Sequence, residues 1–148
     1  MAVGITSYGA YVPMYRMNLQ TLARTWGSPA GKGEKAVANW DEDSLTMATE
    51  SSIDCLNGVD RSLIDGLYFA TTTPAYREKQ NASIIAKVID LRRDITTADF
   101  ANSVRGGTNA LKAAIDAVKA GSAKRFLITA ADCRVPAPDS QFERLFGD

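Results

Sequence analysis

The stretch from Thr96 to Asp132 limits most strongly the folds that this chain can adopt. A short run that ends at Asp99 alternates apolar with polar residues, which predicts a strand, and a turn follows at Asn102-Ser103. Apolar residues then recur at three- and four-residue spacing, at Ala110, Leu111, Ala114, Ile115 and Val118. That spacing predicts a buried helix, which we expect to end at Gly121.

The residues after this helix predict a second strand. The run from Arg125 to Ala131 is short and mostly apolar, which is typical of a strand covered on both faces. A strand, a tight turn, a buried helix and another strand make one βαβ unit. The chain is therefore expected to have an α/β fold.

The turn at residues 102 to 108 is the first candidate for a functional site. Unpaired backbone N–H groups and the positive end of the helix dipole stabilise a thiolate, an oxyanion or a phosphate at a helix N-terminus. A purely structural interpretation stays open, in which Asn102 or Ser103 caps the helix and Gly106-Gly107 allows close packing. The local pattern by itself does not separate the two.

The pattern around this turn resembles a known family. Asp99, six further residues and then Gly-Gly-Thr-x-Ala-Leu from Gly106 are followed by a helix, a glycine and an apolar strand that ends in Ala-Asp. This resembles the nucleophile segment of the thiolase superfamily, particularly 3-hydroxy-3-methylglutaryl-CoA synthases. Three further segments match in the same order, namely Val3 to Pro13, Trp40 to Ala48 and Asn81 to Ile85. The resemblance implies one thiolase-like half-domain over residues 1–148, with a mixed sheet of about four or five strands packed between helices.

Two catalytic groups of the family are missing from the matching positions. The family's acyl-carrying cysteine stands two places before the Gly-Gly pair, where this chain has Val104, which cannot be acylated. Ser103 is the only candidate by position for covalent acylation, but its hydroxyl needs a base and the chain has no histidine. The family's glutamate acid/base falls on Thr72 or Thr73, neither of which transfers a proton at neutral pH.

The resemblance implies that the turn binds substrate or stabilises an oxyanion. The residues concerned are Asn102, Arg105, Gly106, Gly107 and Thr72. A cation in the first helical turn, such as Arg105, is unfavourable against the helix dipole. Either Arg105 meets a carboxylate of a substrate or partner, or it is a surface arginine that lies over apolar neighbours.

Composition excludes several other functions. Lysine plus arginine and aspartate plus glutamate both total 17, so no net charge attracts nucleic acid or an anionic membrane. No apolar stretch approaches the roughly 20 residues of a spanning helix, and the start lacks the pattern of a signal peptide. We expect a cytoplasmic protein. Cys55 and Cys133 lie far apart without histidine companions, so we expect no metal site and no disulfide, and both cysteines in the core.

The remaining segments predict further elements in chain order. We expect a strand from Val3 to Val12 whose glycines let the backbone approach a neighbour closely, and a polar strand end at residues 71–74 that opens onto a crevice. Acids at Asp41-Glu42-Asp43 are assigned to the cap and first turn of a helix rather than to a cation. The other expected elements are a helix Leu19 to Trp26 between Asn18 and Gly27, a loop Ser28 to Asn39, a helix Ser44 to Leu56, a helical turn Arg61 to Ile64, an interior strand Leu67 to Thr72, a helix capped by Asn81 that runs through Ile89, an irregular segment 132–139 and a final turn Ser140 to Phe146.

The resemblance also implies a substrate and partners. Family members are acyltransferases that act on coenzyme A thioesters and make or break a C–C bond next to the thioester. Their activating histidine and asparagine come from a second half that this chain lacks, so we expect a longer polypeptide, a separate subunit or an oligomer to supply it. Three alternatives stay open: a retro-aldol type lyase, a catalytically silent structural subunit and a binding module for acyl-CoA. Some relatives work beside a small zinc-binding OB-fold subunit, which is a further possible partner.

Overall fold

The computed structural model describes residues 2–29 and 31–146 of the chain. The strands are β1 (Tyr15–Asn18), β2 (Glu34–Val37), β3 (Gly66–Thr71), β4 (Thr96–Ala101) and β5 (Phe126–Ala130). The α-helices are α1 (Leu19–Trp26), α2 (Ser44–Cys55), α3 (Asn81–Val88), α4 (Gly106–Lys119) and α5 (Gln141–Leu145), and a short 3₁₀ helix covers Arg61–Leu63. None of the described helices is long and apolar enough to cross a membrane.

The chain divides into two compact units. The first runs up to Tyr11 and from Ser44 to Asp132, and the second runs from Val12 to Asp43 and from Cys133 onwards. In the second unit β1 pairs antiparallel with β2, and Tyr15 faces Val37. The first unit contains a three-stranded parallel sheet in the order β4-β3-β5. The five strands thus form a mixed α/β arrangement, as predicted, divided between two sheets.

Strand β3 is the centre of the parallel sheet. Its Gly66 is in register with Thr96 of β4 on one side and with Phe126 of β5 on the other. The predicted βαβ unit is present as β4, α4 and β5, but its two strands lie on either side of β3. As predicted, β3 is interior, whereas β5 at the sheet edge is fully buried on one face only, at Leu127 and Thr129.

Helices cover both faces of β3. Successive side chains of a strand point to opposite faces, and Leu67 and Phe69 are both completely buried in the cluster that α2 and α3 build. Ala70 points to the other face, where Gly106 at the start of α4 lies against it. Helix α4 buries Ala110 and Ala114 on that side. The parallel sheet is therefore packed between helices.

The N-terminal strand prediction is wrong, because residues 2–13 form no strand. This segment lies across α2 instead: the Ala10 N–H donates to Asp54 Oδ2 at 3.0 Å. A Cβ on Gly9 would stand 2.3 Å from the backbone nitrogen of Cys55, so the predicted close approach of the backbone does occur there. The alternating pattern indicates extended backbone, and it does not show whether a strand lies beside it.

Three smaller predictions are also wrong. The predicted loop from Ser28 to Asn39 contains β2, a four-residue strand that the turn signals around it obscured. No acid lies in the first turn of α2, so that part of the prediction is wrong, although Asp43 does stand directly before the helix. The Glu42 carboxylate accepts from the Asn39 N–H at 2.6 Å. Cys55 and Cys133 are half-buried rather than core residues.

The predicted cap of α3 is displaced by one residue. Gln80 holds the N-cap position without a side-chain bond, and Asn81 is the first helical residue. The carboxylate of Asp99 on β4 caps the helix: it accepts from the Asn81 N–H and the Ala82 N–H, both at 2.7 Å. A side chain from a neighbouring strand thus performs the function that the sequence pattern assigned to a local residue.

Most other elements confirm the sequence pattern. Helix α1 has the predicted bounds, Asn18 accepts from the Gln20 N–H at 2.8 Å, and Gly27 ends the helix in the left-handed conformation with φ of 63°. Helix α4 stops before Gly121, which also has a positive φ, of 78°. These helix ends are predictable because each depends on residues within one turn of it.

Asp65 joins the starts of the strands in the parallel sheet. Its carboxylate accepts from the N–H groups of Lys124 and Arg125, at 2.7 and 3.2 Å, and pairs with Arg92 at 3.1 Å. Its backbone C=O accepts from the Thr96 N–H at 3.0 Å. The hydrogen bonds from these two backbone N–H groups, that of Lys124 first and then that of Arg125, hold the pKa of Asp65 below its ordinary value of 3.8.

We predict that Asp65→Asn lowers the free energy of unfolding at pH 7 by about 1 kcal/mol, because a neutral amide oxygen accepts these bonds less strongly. The lowered pKa means that the contribution of Asp65 is fully present above pH 3.8 and is lost as the pH falls through the native pKa. Urea unfolding at pH 7 and pH 3 should therefore show a difference between variant and wild type that shrinks at pH 3. Asp94→Asn is the control, because Asp94 is exposed and its carboxylate pairs, within the described part of the chain, with Arg92 alone. An equal loss in the free energy of unfolding in Asp65→Asn and Asp94→Asn would contradict the stabilising role given to Asp65.

We predict opposite effects for alanine at two adjacent glycines of α4. A Cβ on Gly106 would stand 2.8 Å from the Phe100 carbonyl oxygen, so Gly106→Ala must push α4 away from β4 and destabilise the fold by about 1–3 kcal/mol. A Cβ on Gly107 would meet only Ala130 Cβ, at the ordinary contact distance of 3.7 Å. Gly107→Ala should therefore leave stability unchanged or raise it by up to about 1 kcal/mol. Thermal or urea unfolding measures the stability of both variants. An equal loss of stability in the two would contradict the claim that only Gly106 lies too close to β4 for a Cβ.

Candidate functional site

The carboxyl ends of the three parallel strands meet at one edge of the sheet in the first unit. Ligands in open α/β sheets bind at such an edge. A pocket of about 250 Å³ opens there. Its lining comes from the ends of β3 and β5 and from the start of α4, and includes Thr71, Thr72, Ser103, Val104, Gly107 and Asp132, the remainder being alanine.

The turn between β4 and α4 forms one wall of this pocket. Asn102 adopts the left-handed conformation with φ of 62°, which asparagine tolerates better than most residues. The Ser103 hydroxyl accepts from the Arg105 N–H at 3.2 Å, and the Ser103 C=O accepts from the Gly106 N–H at 2.9 Å. Arg105 holds the N-cap position without a side-chain cap, so the alternative in which Asn102 or Ser103 caps the helix is not what the structure has.

The absence of a side-chain cap leaves donors at the start of α4. Among the described residues, no hydrogen-bond acceptor is assigned to the backbone N–H groups of Gly107 and Thr108. The first N–H groups of a helix have no partner within the helix, and the dipole makes this end positive. Gly107 itself lines the pocket. The geometry is therefore suited to an anionic or partially negative oxygen.

The predicted site residues fall into two groups. Thr72, Ser103 and Gly107 line the pocket together with Val104, whose side chain is 82% exposed. Asn102, Arg105 and Gly106 belong to the same turn but are not part of the lining. Asn102 provides the left-handed turn, and buried Gly106 allows α4 to approach β4.

Asp132 is a pocket residue that the sequence reasoning did not single out. Its Oδ1 accepts from the Thr72 N–H at 2.6 Å and from the Thr71 hydroxyl at 3.2 Å. The available signal was its place directly after β5, because an acid there shares the sheet edge with the residues after β3 and β4. Asp132 is the one ionisable residue of the pocket lining.

The pocket contains no assembled nucleophile with a base. The Ser103 hydroxyl is hydrogen-bonded only to the Arg105 amide among the described residues, and the sequence has no histidine. Among the described residues, no group of three or more histidine, cysteine or acidic side chains is arranged to hold a metal ion. What the site offers is hydrogen-bond donors, one carboxylate and an apolar side chain at position 104.

Similar sequences carry one common name. No protein-family profile matches the chain. It is 38% identical over 144 residues to the hydroxymethylglutaryl-CoA synthases of Thermococcus gammatolerans and Pyrococcus furiosus, which covers 95% of this chain and 41% of each relative. The enzyme of Methanosarcina mazei is 35% identical over 152 residues, 97% of this chain and 44% of that relative. The chain thus spans about two fifths of the length of these relatives.

Solved structures have the same fold. A hydroxymethylglutaryl-CoA synthase complexed with CoA matches with a TM-score of 0.90 at 22% identity, over 97% of this chain and 39% of the other. β-Ketoacyl-[acyl carrier protein] synthase III from Thermus thermophilus matches with a TM-score of 0.87 at 26% identity, over 99% of this chain and 49% of the other. MvaS in complex with 3-hydroxy-3-methylglutaryl coenzyme A matches with a TM-score of 0.72 at 29% identity, over 80% of this chain and 31% of the other. The chain is therefore hydroxymethylglutaryl-CoA synthase-like in sequence and thiolase-like in fold.

Proposed function

We propose that this chain supplies one wall of an acyl-thioester site in a hydroxymethylglutaryl-CoA synthase-like or thiolase-like acyltransferase, which makes or breaks a C–C bond next to the thioester. The observation that carries the proposal is the pocket at the N-terminus of α4, which brings Thr72, Ser103, Val104 and Gly107 together. The similarity to hydroxymethylglutaryl-CoA synthases supports a coenzyme A thioester as substrate. The proposal requires no metal in this chain.

The proposed contribution of the chain is to bind and polarise the thioester carbonyl. The N–H groups of Gly107 and Thr108 are donors at the positive end of α4, and such donors stabilise the negative charge that develops on a reacting carbonyl oxygen. The proposed binding residues are Thr72, Asn102, Arg105, Gly106 and Gly107. Of these, Asn102 and Gly106 act by shaping the turn and its packing. Arg105 is exposed, so its side chain is accessible to solvent or to a partner.

The covalent step of the family is not available to this chain as it stands. Valine at position 104 has no nucleophilic atom, and Ser103, the only candidate by position, is hydrogen-bonded to no base among the described residues. The groups that move protons must then come from a second thiolase-like half or another subunit. The 41% coverage of the relatives supports such a missing half.

A retro-aldol type lyase of the same fold is the second candidate function. The observation that favours it is Val104 at the nucleophile position, because a retro-aldol cleavage needs a polarised carbonyl and a proton acceptor but no acyl-enzyme. A catalytically silent subunit would also tolerate valine. Cleavage of a 3-hydroxyacyl-CoA by the assembled enzyme, measured by release of the shorter thioester, distinguishes the lyase from both other functions.

The proposed partners are a second half, a second copy of the chain or a small zinc-binding OB-fold subunit, in a cytoplasmic assembly. Large apolar side chains on the surface support pairing, for example Trp40 at 91% and Tyr8 at 90% exposure. We expect the isolated chain to pair with itself. Sedimentation velocity should then show a species heavier than the 15.9 kDa of one chain, and a single 15.9 kDa species would contradict self-pairing.

The thioester pocket is tested by restoring a thiol where the family has its cysteine. Val104 is exposed, so Val104→Cys should leave the fold intact. The new thiolate attacks the carbonyl of acetyl-CoA, the bond from the carbonyl carbon to the CoA sulfur breaks, an S-acetyl cysteine forms, and CoA leaves as its thiolate, which takes a proton from water. We expect this acylation to be at least about tenfold faster than that of an ordinary exposed cysteine, because the pocket orients the carbonyl. Peptide mass spectrometry over time gives the rate.

The matched control is Val135→Cys, whose side chain is similarly exposed but lies in the other unit. Each acylation rate is divided by the rate of alkylation by iodoacetamide, which removes differences in thiol reactivity. Equal normalised rates at positions 104 and 135 would contradict the proposed function. The wild-type chain should gain no acetyl group, and an adduct on Ser103 would show that a serine mechanism operates.

A further inference from the structure

The hydrogen-bond ladder between β3 and β5 ends just before the pocket. Its last residue pair is Ala70 with Ala130, and the final backbone bond runs from the Ala131 N–H to the Ala70 C=O at 3.2 Å. The next donor along β3 is the Thr72 N–H, which finds the Asp132 carboxylate at 2.6 Å. A side chain of the segment after β5 thus replaces the backbone acceptor that the ladder no longer provides.

The carboxylate also fixes the turn that follows β3. Besides the Thr72 N–H, it accepts from the Thr71 hydroxyl at 3.2 Å. The Thr71 hydroxyl in turn accepts from the Thr73 N–H at 3.0 Å, and the Thr73 C=O accepts from the completely buried Ser44 of α2 at 2.5 Å. Residues 71–73 are therefore held between α2 and Asp132.

Thr71 and Thr72 line the pocket together with Asp132, so this turn forms one wall of the pocket. Hydrogen bonds to an ionised carboxylate are shorter and stronger than those to a neutral oxygen. The position of the wall therefore depends on a bond between two segments that lie 60 residues apart in sequence.

We propose that Asp132 is a positioning residue of the acyl-thioester site: its carboxylate holds residues 71–73 as the wall against which the thioester lies. This inference rests on the proposed function. Asp132 acts through its hydrogen bonds to Thr71 and Thr72, and it is not the group that attacks or leaves. Removing the acceptor lets the wall move, and the bound thioester is then no longer aligned with position 104.

The test uses the Val104→Cys chain and its normalised acylation rate. Adding Asp132→Ala removes both hydrogen bonds, and we expect the rate to fall about tenfold, the effect of losing roughly one charge-assisted bond. Adding Asp132→Asn keeps an acceptor oxygen of the same shape, and we expect the rate to stay within about threefold of the parent. Asp116→Asn, on the exposed face of α4, is the control and should leave the rate unchanged.

The outcomes separate a positioning role from a structural one. Urea unfolding of each variant measures stability, and a merely structural Asp132 would lower stability while leaving the normalised rate unchanged, which would overturn the inference. An equal loss in the alanine and asparagine variants would also overturn it, because charge rather than wall position would then be responsible. If Asp132→Ala does not fold, Thr71→Val removes, at nearly constant shape, the bond from Thr71 to Asp132 together with the acceptor of the Thr73 N–H, and the rate must fall. If the normalised acylation rate of Val104→Cys equals that of Val135→Cys, the proposed function is overturned, and the inference with it.

Discussion

The parallel pairing of β4 and β5 with the buried strand β3 is the constraint on which the site depends. Leu67 and Phe69 are completely buried on one face of β3, and burying one such side chain contributes about 1.5–3 kcal/mol. Because both neighbours run parallel to β3, the three segments that follow the strands leave the sheet at one edge. The position of the pocket is therefore set by the strand pairing and does not depend on any one polar side chain.

The sequence predicts elements well where the determining interactions are local. The bounds of α1 follow from Asn18 and Gly27 at its ends, and the apolar spacing of α4 follows from the face that it buries against the sheet. The predictions fail where the determining group is distant. Asp99 caps α3 from 17 and 18 residues away, and no local pattern shows which strand comes to lie beside that helix. The predicted strand at residues 3–12 fails for the same reason, since alternation specifies neither partner nor register.

The candidate site shows the same division. The turn after β4 and the polar end of β3 were predictable, because a glycine pair before a helix and a run of threonines after an apolar strand are visible in the sequence. For Asp132 the sequence shows the place directly after β5 but not the partner, because its hydrogen bond to Thr72 crosses 60 residues. The structure also separates the roles of the two glycines: Gly106 is required for packing against Phe100, while Gly107 lines the pocket.

The side chain at position 104 and the backbone donors at the start of α4 are structurally independent of each other. The side chain at position 104 can change without altering the N–H groups of Gly107 and Thr108, because those donors belong to the backbone of a helix that Gly106 seats on the sheet. On the proposed function, a valine at position 104 excludes acyl transfer to that side chain but leaves the backbone donors that would polarise a carbonyl. Under the proposed function, the reactions left to this half are those in which a polarised thioester is enough and the proton acceptor belongs to a partner.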